Sequence, residues 1–275
     1  MRPFHRMLTV LAVVGFACLI VVSAWLYTRP PESITVIEVA GSTSVAPLLE
    51  NLATHYSSRN PGVVVRVSGT GSSDGVQAAA IGSSDLGMTS RALRSRELAH
   101  GLKGHVIAMD AIVLIVHPAN TVYSLTIEQV RHIFRGEITS WSQLGGANAP
   151  IVVVSREPGS GTRGAFEQAV GFAGELRNGA YELDGSGAVK AAVAGNPLAI
   201  GYISLGFHDQ HILPLRINGV RATPQTISSY EYPVVRPFIV LEPAHGLSPS
   251  TAELLEWILS PEGQSVAATR WAAVQ

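Results

Sequence analysis

The stretch Arg156-Glu157-Pro158-Gly159-Ser160-Gly161-Thr162-Arg163 gathers a guanidinium, hydroxyls and glycines into one short turn. Ile151-Val152-Val153-Val154 precedes it and reads as a buried strand. Ala165, Phe166, Ala169 and Val170 follow with the apolar spacing of a helix's first turns. A strand, a Gly/Ser/Thr turn and a helix start together make an anion site. The unpaired N–H groups of the helix N-terminus point into the turn, and the helix dipole favours negative charge there. Gly159 and Gly161 let the backbone approach a ligand, Ser160 and Thr162 add hydroxyl donors, and Arg156 supplies a planar, permanently charged fork. Taken alone, the same residues also suit an ordinary strand-to-helix turn with Ser or Thr as the N-cap.

The pattern recurs. Ile34 to Ala40 reads as a strand, followed by Gly41-Ser42-Thr43-Ser44 and a helix with Val45, Leu48, Leu49, Leu52 and Tyr56 on one face. Val63 to Val67 reads as a second strand, followed by Gly69-Thr70-Gly71-Ser72-Ser73 and a helical stretch beginning near Asp74. In open α/β sheets such turns lie at the carboxyl ends of the strands, where ligands bind. Three turns of neutral donors and one arginine can therefore converge on one small anion. Asp85-Leu86-Gly87-Met88-Thr89-Ser90-Arg91 adds a short strand whose end offers Thr89 and Ser90.

The elements that must hold these turns also follow from pattern. His105 to Val116 and Val234 to Leu241 are apolar stretches long enough to cross between two α/β lobes. Thr126 caps a short helix to Phe134, residues 187–194 are helical, 199–203 form a strand, and 250–259 form a last amphipathic helix. Two crossings predict a discontinuous first lobe, residues 34–112 with 236–275, and a continuous second lobe, residues 113–235.

The chain has 275 residues, 47% hydrophobic and 14% charged, with a net charge of −1. That gives no basic footprint for nucleic acid, so an anion must be held by a local site. Arg2, His5 and Arg6 precede a nearly unbroken apolar run from Met7 to Tyr27. This is the layout of a secretory signal, with Val22-Ser23-Ala24 as a small-residue cleavage site, or of a retained membrane anchor. Residues 1–29 are thus a signal peptide or anchor, and the body lies outside the cytoplasm. Cys18 is the only cysteine, which excludes an intrachain disulfide and cysteine metal clusters.

Further pieces are Gly-Glu-Ile-Thr-Ser-Trp (136–141), Ala-Ile-Gly-Tyr (199–202), Tyr-Pro-Val-Val-Arg-Pro (232–237) and Ser-Pro-Glu-Gly-Gln (260–264). With the turns above, and in this order from about residue 34 to the end, the chain resembles the periplasmic phosphate-binding proteins of ABC-type phosphate importers. The resemblance implies a two-lobed periplasmic-binding-protein fold of type II-like organisation, two α/β lobes joined by two hinge crossings. It implies inorganic phosphate held in the cleft by Thr43, Ser44, Ser72, Ser90, Arg156, Ser160, Gly161 and Thr162. It further implies delivery to an ABC permease and ATPase complex at the inner membrane, with no enzymatic activity, no cofactor and no metal, by a monomer.

Two departures stand out. Members of that family often place a carboxylate where this chain has Ser90, and such a group accepts the proton of hydrogen phosphate and repels sulfate. Asp74, Asp85 or a hydroxyl lone pair must replace it, and sulfate, molybdate or tungstate are alternative ligands. Pro158 stands where relatives can carry an acidic partner for the arginine, leaving Glu157 to serve. The main enzymatic alternative is a serine hydrolase: Gly71-Ser72-Ser73-Asp74-Gly75 matches G-x-S-x-G, with Ser73 as nucleophile. Asp184 or Asp209 and His208, His211 or His245 would complete the triad. The histidines show no compact metal-ligand spacing. No Walker lysine follows any of the turns. Arg91 and Arg163 flank the site, either as ligand contacts or as members of salt bridges.

Overall fold

A computed structural model describes residues 15–16, 19–20 and 34–274. The chain divides into an N-terminal unit, 1–35, and a body, 36–275. Of the first unit, residues 15–16 and 19–20 are helical, while Cys18 and the cleavage motif at 22–24 lie outside the described residues. Among the described residues, no helix is long and apolar enough to cross a membrane.

In chain order the body runs β1 (Thr35–Gly41), α1 (Ala46–Arg59), β2 (Val63–Gly69), α2 (Ser72–Ile81), β3 (Leu86–Thr89), α3 (Ser95–Leu98) and β4 (Lys103–Val116). It continues through β5 (Ser124–Leu125), α4 (Ile127–Arg135), β6 (Val152–Arg156), α5 (Gly161–Val170), β7 (Tyr181–Leu183), α6 (Gly185–Ala194) and β8 (Ala199–Ser204). Then come β9 (Leu213–Pro214), β10 (Arg216–Ile217), α7 (Pro224–Ser228), β11 (Val235–Glu242), α8 (Pro249–Leu259) and α9 (Pro261–Ala267).

Local chemistry sets these boundaries. Proline in the first turn opens α1, and Leu48, Leu49, Leu52 and Tyr56 form its buried face. Thr126 caps α4 with Gln129 in a reciprocal capping box. Helix α2 begins at Ser72 rather than near Asp74. Gly71 sits at φ +117°, a conformation open to glycine, and turns the chain straight from β2 into the helix. Ser72 and Ser73 thus belong to the first helical turn instead of the loop. The sequence reading also passed over β7, α9 and the small β5–β10 pair, each too short or too polar to carry a clear period.

One sheet organises the body in the order β2-β1-β3-β11-β4-β8-β6-β7, with β9 added beside β4. The fourteen-residue β4 belongs to both halves of it. Its first part pairs antiparallel with β11 from Lys103↔Glu242 to Ala111↔Val235, and its last part pairs antiparallel with β8 from Ile112↔Ser204 to Val116↔Ile200. Two large cores flank that change of partner. One gathers Ile37, Val39, Leu48, Leu52, Met88, Ala108, Phe238, Leu254 and Trp271. The other gathers Ala111 to Val116, Phe134, Phe166, Tyr202, Tyr232 and Val234. Both crossings therefore pass from one core to the other within two residues, at Asp110 on β4 and at Val235 and Arg236 on β11. The fold is a two-lobed α/β arrangement.

Candidate anion site

The β1–α1 turn, the start of α2, the end of β3, the end of β6 with the start of α5, and the start of α6 all meet between the two cores. Arg156 ends β6 with its side chain 2% exposed. Its backbone N–H donates to Tyr202 Oη at 3.3 Å, and Tyr202 also bonds Ser155 Oγ at 2.8 Å. Burial pushes the Tyr202 phenol up to about 12, so it is a neutral hydrogen-bonding strut at ordinary pH. Glu157 grips the guanidinium through Nε at 2.7 Å and Nη2 at 2.6 Å. Adjacent side chains do meet here, and Glu157 fills the place of the acidic partner that Pro158 cannot supply.

The remaining protons of Arg156 run to hydroxyls of both halves. Nη2 donates to Thr43 Oγ1 at 3.2 Å and Nη1 to Ser186 Oγ at 3.1 Å. Ser186 bonds Ser44 Oγ at 3.1 Å, and Ser44 bonds Thr162 Oγ1 at 2.7 Å. Thr162 then accepts from a second guanidinium, Arg236 Nη1, at 2.7 Å, and the same nitrogen donates to Ser90 Oγ at 3.2 Å. Ser90 further accepts from Ser42 Oγ at 3.0 Å and lies 3.3 Å from Ser72 Oγ, while its N–H donates to Ser72 Oγ at 3.2 Å. The result is one chain of hydroxyls strung between two buried arginines.

Every residue predicted for the site lies in or beside this cluster. Ser160 is the N-cap of α5, its Oγ accepting the Arg163 N–H at 3.2 Å, which leaves its own proton free to donate. Gly161 faces Ser72 and Ser90 so closely that a Cβ there would overlap Ser72 Oγ and stand 2.8 Å from Ser90 Oγ. The cleft is shut around the cluster, with Ser73 donating through N and Oγ to the Gly159 carbonyl at 3.3 and 3.1 Å.

Four residues of the cluster were missed from sequence: Ser42, whose turn was recognised but not its part, Ser186, Arg236 and Asp110. Ser186 opens a helix, α6, whose small residues carried no ligand signal. Arg236 and Asp110 did leave one, as lone charges inside the two apolar crossings. They are register partners across β11 and β4. Arg236 donates through Nε at 3.0 Å and Nη2 at 2.9 Å to Asp110 Oδ2, while Ser204 Oγ donates to Oδ1 at 2.8 Å. Burial pushes the Asp110 carboxyl up, opposed by Arg236, Ser204 and the Leu205 N–H. Burial likewise pulls Arg236 down, with Asp110 opposing it and the nearby Arg156 charge adding to it.

Several alternatives that the sequence leaves open are narrowed by the geometry. Asp85 accepts the Glu38 N–H at 2.8 Å from its place before β3, whereas Ser90 follows that strand's far end, so Asp85 does not supply the acceptor. Asp74 is exposed in the first turn of α2. The hydroxyls are then the acceptors left from that group. Arg91 is held by Glu97 through two bonds of 2.7 and 2.8 Å, and Arg163 by Glu167 and Glu182 at 2.7 and 2.6 Å, so both serve salt bridges. Ser73 Oγ is bonded to Gly159 O and approached by Arg91 Nη2 at 3.5 Å, with no imidazole among its bonds. His245 packs beside Gly82 and His211 beside Asp209, so neither of these imidazoles is bonded to Ser73. Among the described residues no cluster of His, Cys, Asp and Glu could hold a metal ion.

The family model of the PBP superfamily domain matches residues 28–262. The chain belongs to the PBP superfamily. Among solved structures this PBP-superfamily chain is similar to one described as a phosphate ABC transporter substrate-binding protein with bound phosphate from Clostridium perfringens. The two are 42% identical with a TM-score of 0.86, over 88% of this chain and all of that one. An ABC-type phosphate transport receptor from Vibrio cholerae is 32% identical with a TM-score of 0.71, over 85% of this chain and 97% of that one. A curated relative, the phosphate-binding protein PstS of Borreliella burgdorferi, is 26% identical over 242 residues, 84% of this chain and 87% of its own length.

Proposed function

We propose that this protein is a non-enzymatic extracytoplasmic receptor that captures inorganic phosphate between its lobes and delivers it, as a monomer, to an ABC permease and its ATPase. The observation that carries this reading is the chain of hydroxyls bracketed by Arg156 and Arg236 in a shut cleft. Each arginine is balanced by its own carboxylate, so the pocket offers oriented N–H and O–H groups rather than a large net positive charge. The N-termini of α5 and α6 add backbone donors. Relatives named for phosphate binding and phosphate transport support phosphate as the ligand. The proposed contacts are Thr43, Ser44, Ser72, Ser90, Arg156, Ser160, Gly161 and Thr162. The lobes are residues 34–112 with 236–275, and 113–235. They part and close about the paired crossings on β4 and β11, and residues 1–29 serve as the export signal or tether.

Calorimetric titration of the purified protein with phosphate, sulfate, molybdate and arsenate tests the reading. Saturable phosphate binding tighter than that of the other anions bears it out. Tighter sulfate or molybdate binding would keep a receptor and change its ligand. Absence of binding by all four would remove the receptor altogether.

A further inference from the structure

Arg236 on the crossing strand is not among the proposed ligand contacts, and its hydrogen bonds give it a different part. A guanidinium only donates, whereas a hydroxyl carries one proton and two lone pairs. Any hydroxyl bonded by Arg236 is therefore fixed as the acceptor of that bond, and its own proton is turned elsewhere. Ser90 Oγ accepts from Arg236 and from Ser42, which occupies both lone pairs, so Ser90 has only a proton left to offer. Thr162 Oγ1 accepts from Arg236 and lies 2.7 Å from Ser44 Oγ, where either hydroxyl can donate; with Ser44 as donor both Thr162 lone pairs are taken and only its proton is left to offer.

Asp110 is what holds Arg236 in this attitude. Its Oδ2 takes Nε and Nη2, leaving Nη1 alone to span Ser90 from one lobe and Thr162 from the other. Both strands that carry the pair change cores at this point. A buried ion pair is weak support for stability, because desolvation offsets most of its attraction.

The geometry points to Arg236, held by Asp110, as a positioning and specificity-determining residue that sets Ser90 and Thr162 as proton donors and so selects oxyanion oxygens bearing no proton. This rests on the receptor reading above and deepens it. The ligand class it names is a tetrahedral oxyanion presenting deprotonated oxygens, which includes hydrogen phosphate by its three bare oxygens and sulfate by all four. Sulfate is therefore expected to compete for the wild-type site.

The test measures phosphate affinity by calorimetry and sulfate affinity by competition against radiolabelled phosphate, with ligand-free melting recorded in parallel. The Asp110→Asn/Arg236→Gln double variant removes both charges at once and leaves no lone buried ion. Without Arg236, the hydroxyls of Ser90 and Thr162 can turn and accept the proton of hydrogen phosphate, whereas sulfate only loses donors. Phosphate affinity should fall about tenfold and sulfate affinity about a hundredfold, raising the phosphate-to-sulfate ratio about tenfold. Arg236→Lys keeps the charge pair, but its single nitrogen cannot stand both at the Nε and Nη2 positions against Asp110 and at the Nη1 position between Ser90 and Thr162, and a shift of the ratio in the same direction keeps the test decisive should the double variant not fold. A lower melting temperature with an unchanged ratio would reduce Arg236 to a structural role and overturn the inference. So would a wild-type site in which sulfate fails to compete at all. A wild type that binds neither phosphate nor sulfate would instead overturn the phosphate-receptor reading, and this inference with it.

Discussion

Asp110 and Arg236 sit opposite each other as register partners on β4 and β11, and one oxygen of the aspartate takes two nitrogens of the arginine at 3.0 and 2.9 Å. The pair lies where both strands leave one core and enter the other, so the strand crossings and the hydroxyl cluster share a side chain. Arg156 mirrors it from within one half of the protein, fixed by Glu157 and reaching Thr43 across the cleft.

Arg156→Ala removes a buried charged donor from the proposed site and leaves Glu157 without its partner. Phosphate affinity is expected to drop by about 3 kcal/mol, somewhat over a hundredfold, in a protein that still folds. Calorimetry and circular dichroism on the same sample check this, and near-wild-type affinity would take Arg156 out of the site.

Gly161→Ala tests closure rather than contact. Helix α5 tolerates alanine, but its methyl would overlap Ser72 Oγ and crowd Ser90 Oγ. The ligand-free protein should melt within a few degrees of wild type, while phosphate binding weakens at least about tenfold because the halves cannot meet. Small-angle scattering should show the variant failing to compact on adding phosphate.

Ser90→Asp places a carboxylate beside Arg236. It accepts a proton from hydrogen phosphate and repels a ligand that has none, at the expense of part of the guanidinium's charge. Affinity for both anions is expected to fall, with sulfate losing about tenfold more than phosphate. Equal losses would show that this position does not read the ligand's proton.

Glu97, which holds Arg91 beside the proposed site, supplies a pH test of stability. Burial alone would raise its carboxyl, but the two bonds from Arg91 and the Arg94 N–H hold it below the ordinary value of 4.5. A carboxylate depressed in the folded state stabilises above its unfolded pKa and loses that contribution as pH falls through the folded one. Glu97→Gln should therefore cost about 3 kcal/mol at pH 7, where it strands Arg91, and the gap to wild type should narrow below about pH 4.5. Urea melts at pH 7, 5, 4 and 3 measure it.

The sheet and most helices were legible in sequence because their periods are long and clean, as in the run through β4 and the capped start of α4. The three Gly/Ser/Thr turns announced themselves by repetition. Ser186 did not, because its role depends on β7 and α6 bringing a small-residue helix under Arg156, and three residues of strand carry no period. Arg236 and Asp110 were visible as charges but not as partners, since pairing across two strands separated by more than a hundred residues depends on register that only the assembled sheet supplies.

The two cores differ in how they can be completed as the chain emerges. The core around Phe134, Phe166 and Tyr202 draws on residues 111–234, with Ala272 as its one distant member. The core around Leu48 and Met88 needs Phe238, Leu254, Ile258 and Trp271 as well. Its early strands must wait, apolar faces open, until the last helices have been made and β11 has slotted between β3 and β4. Truncation of a few C-terminal residues before Trp271 should therefore be felt first in the part of the protein made earliest.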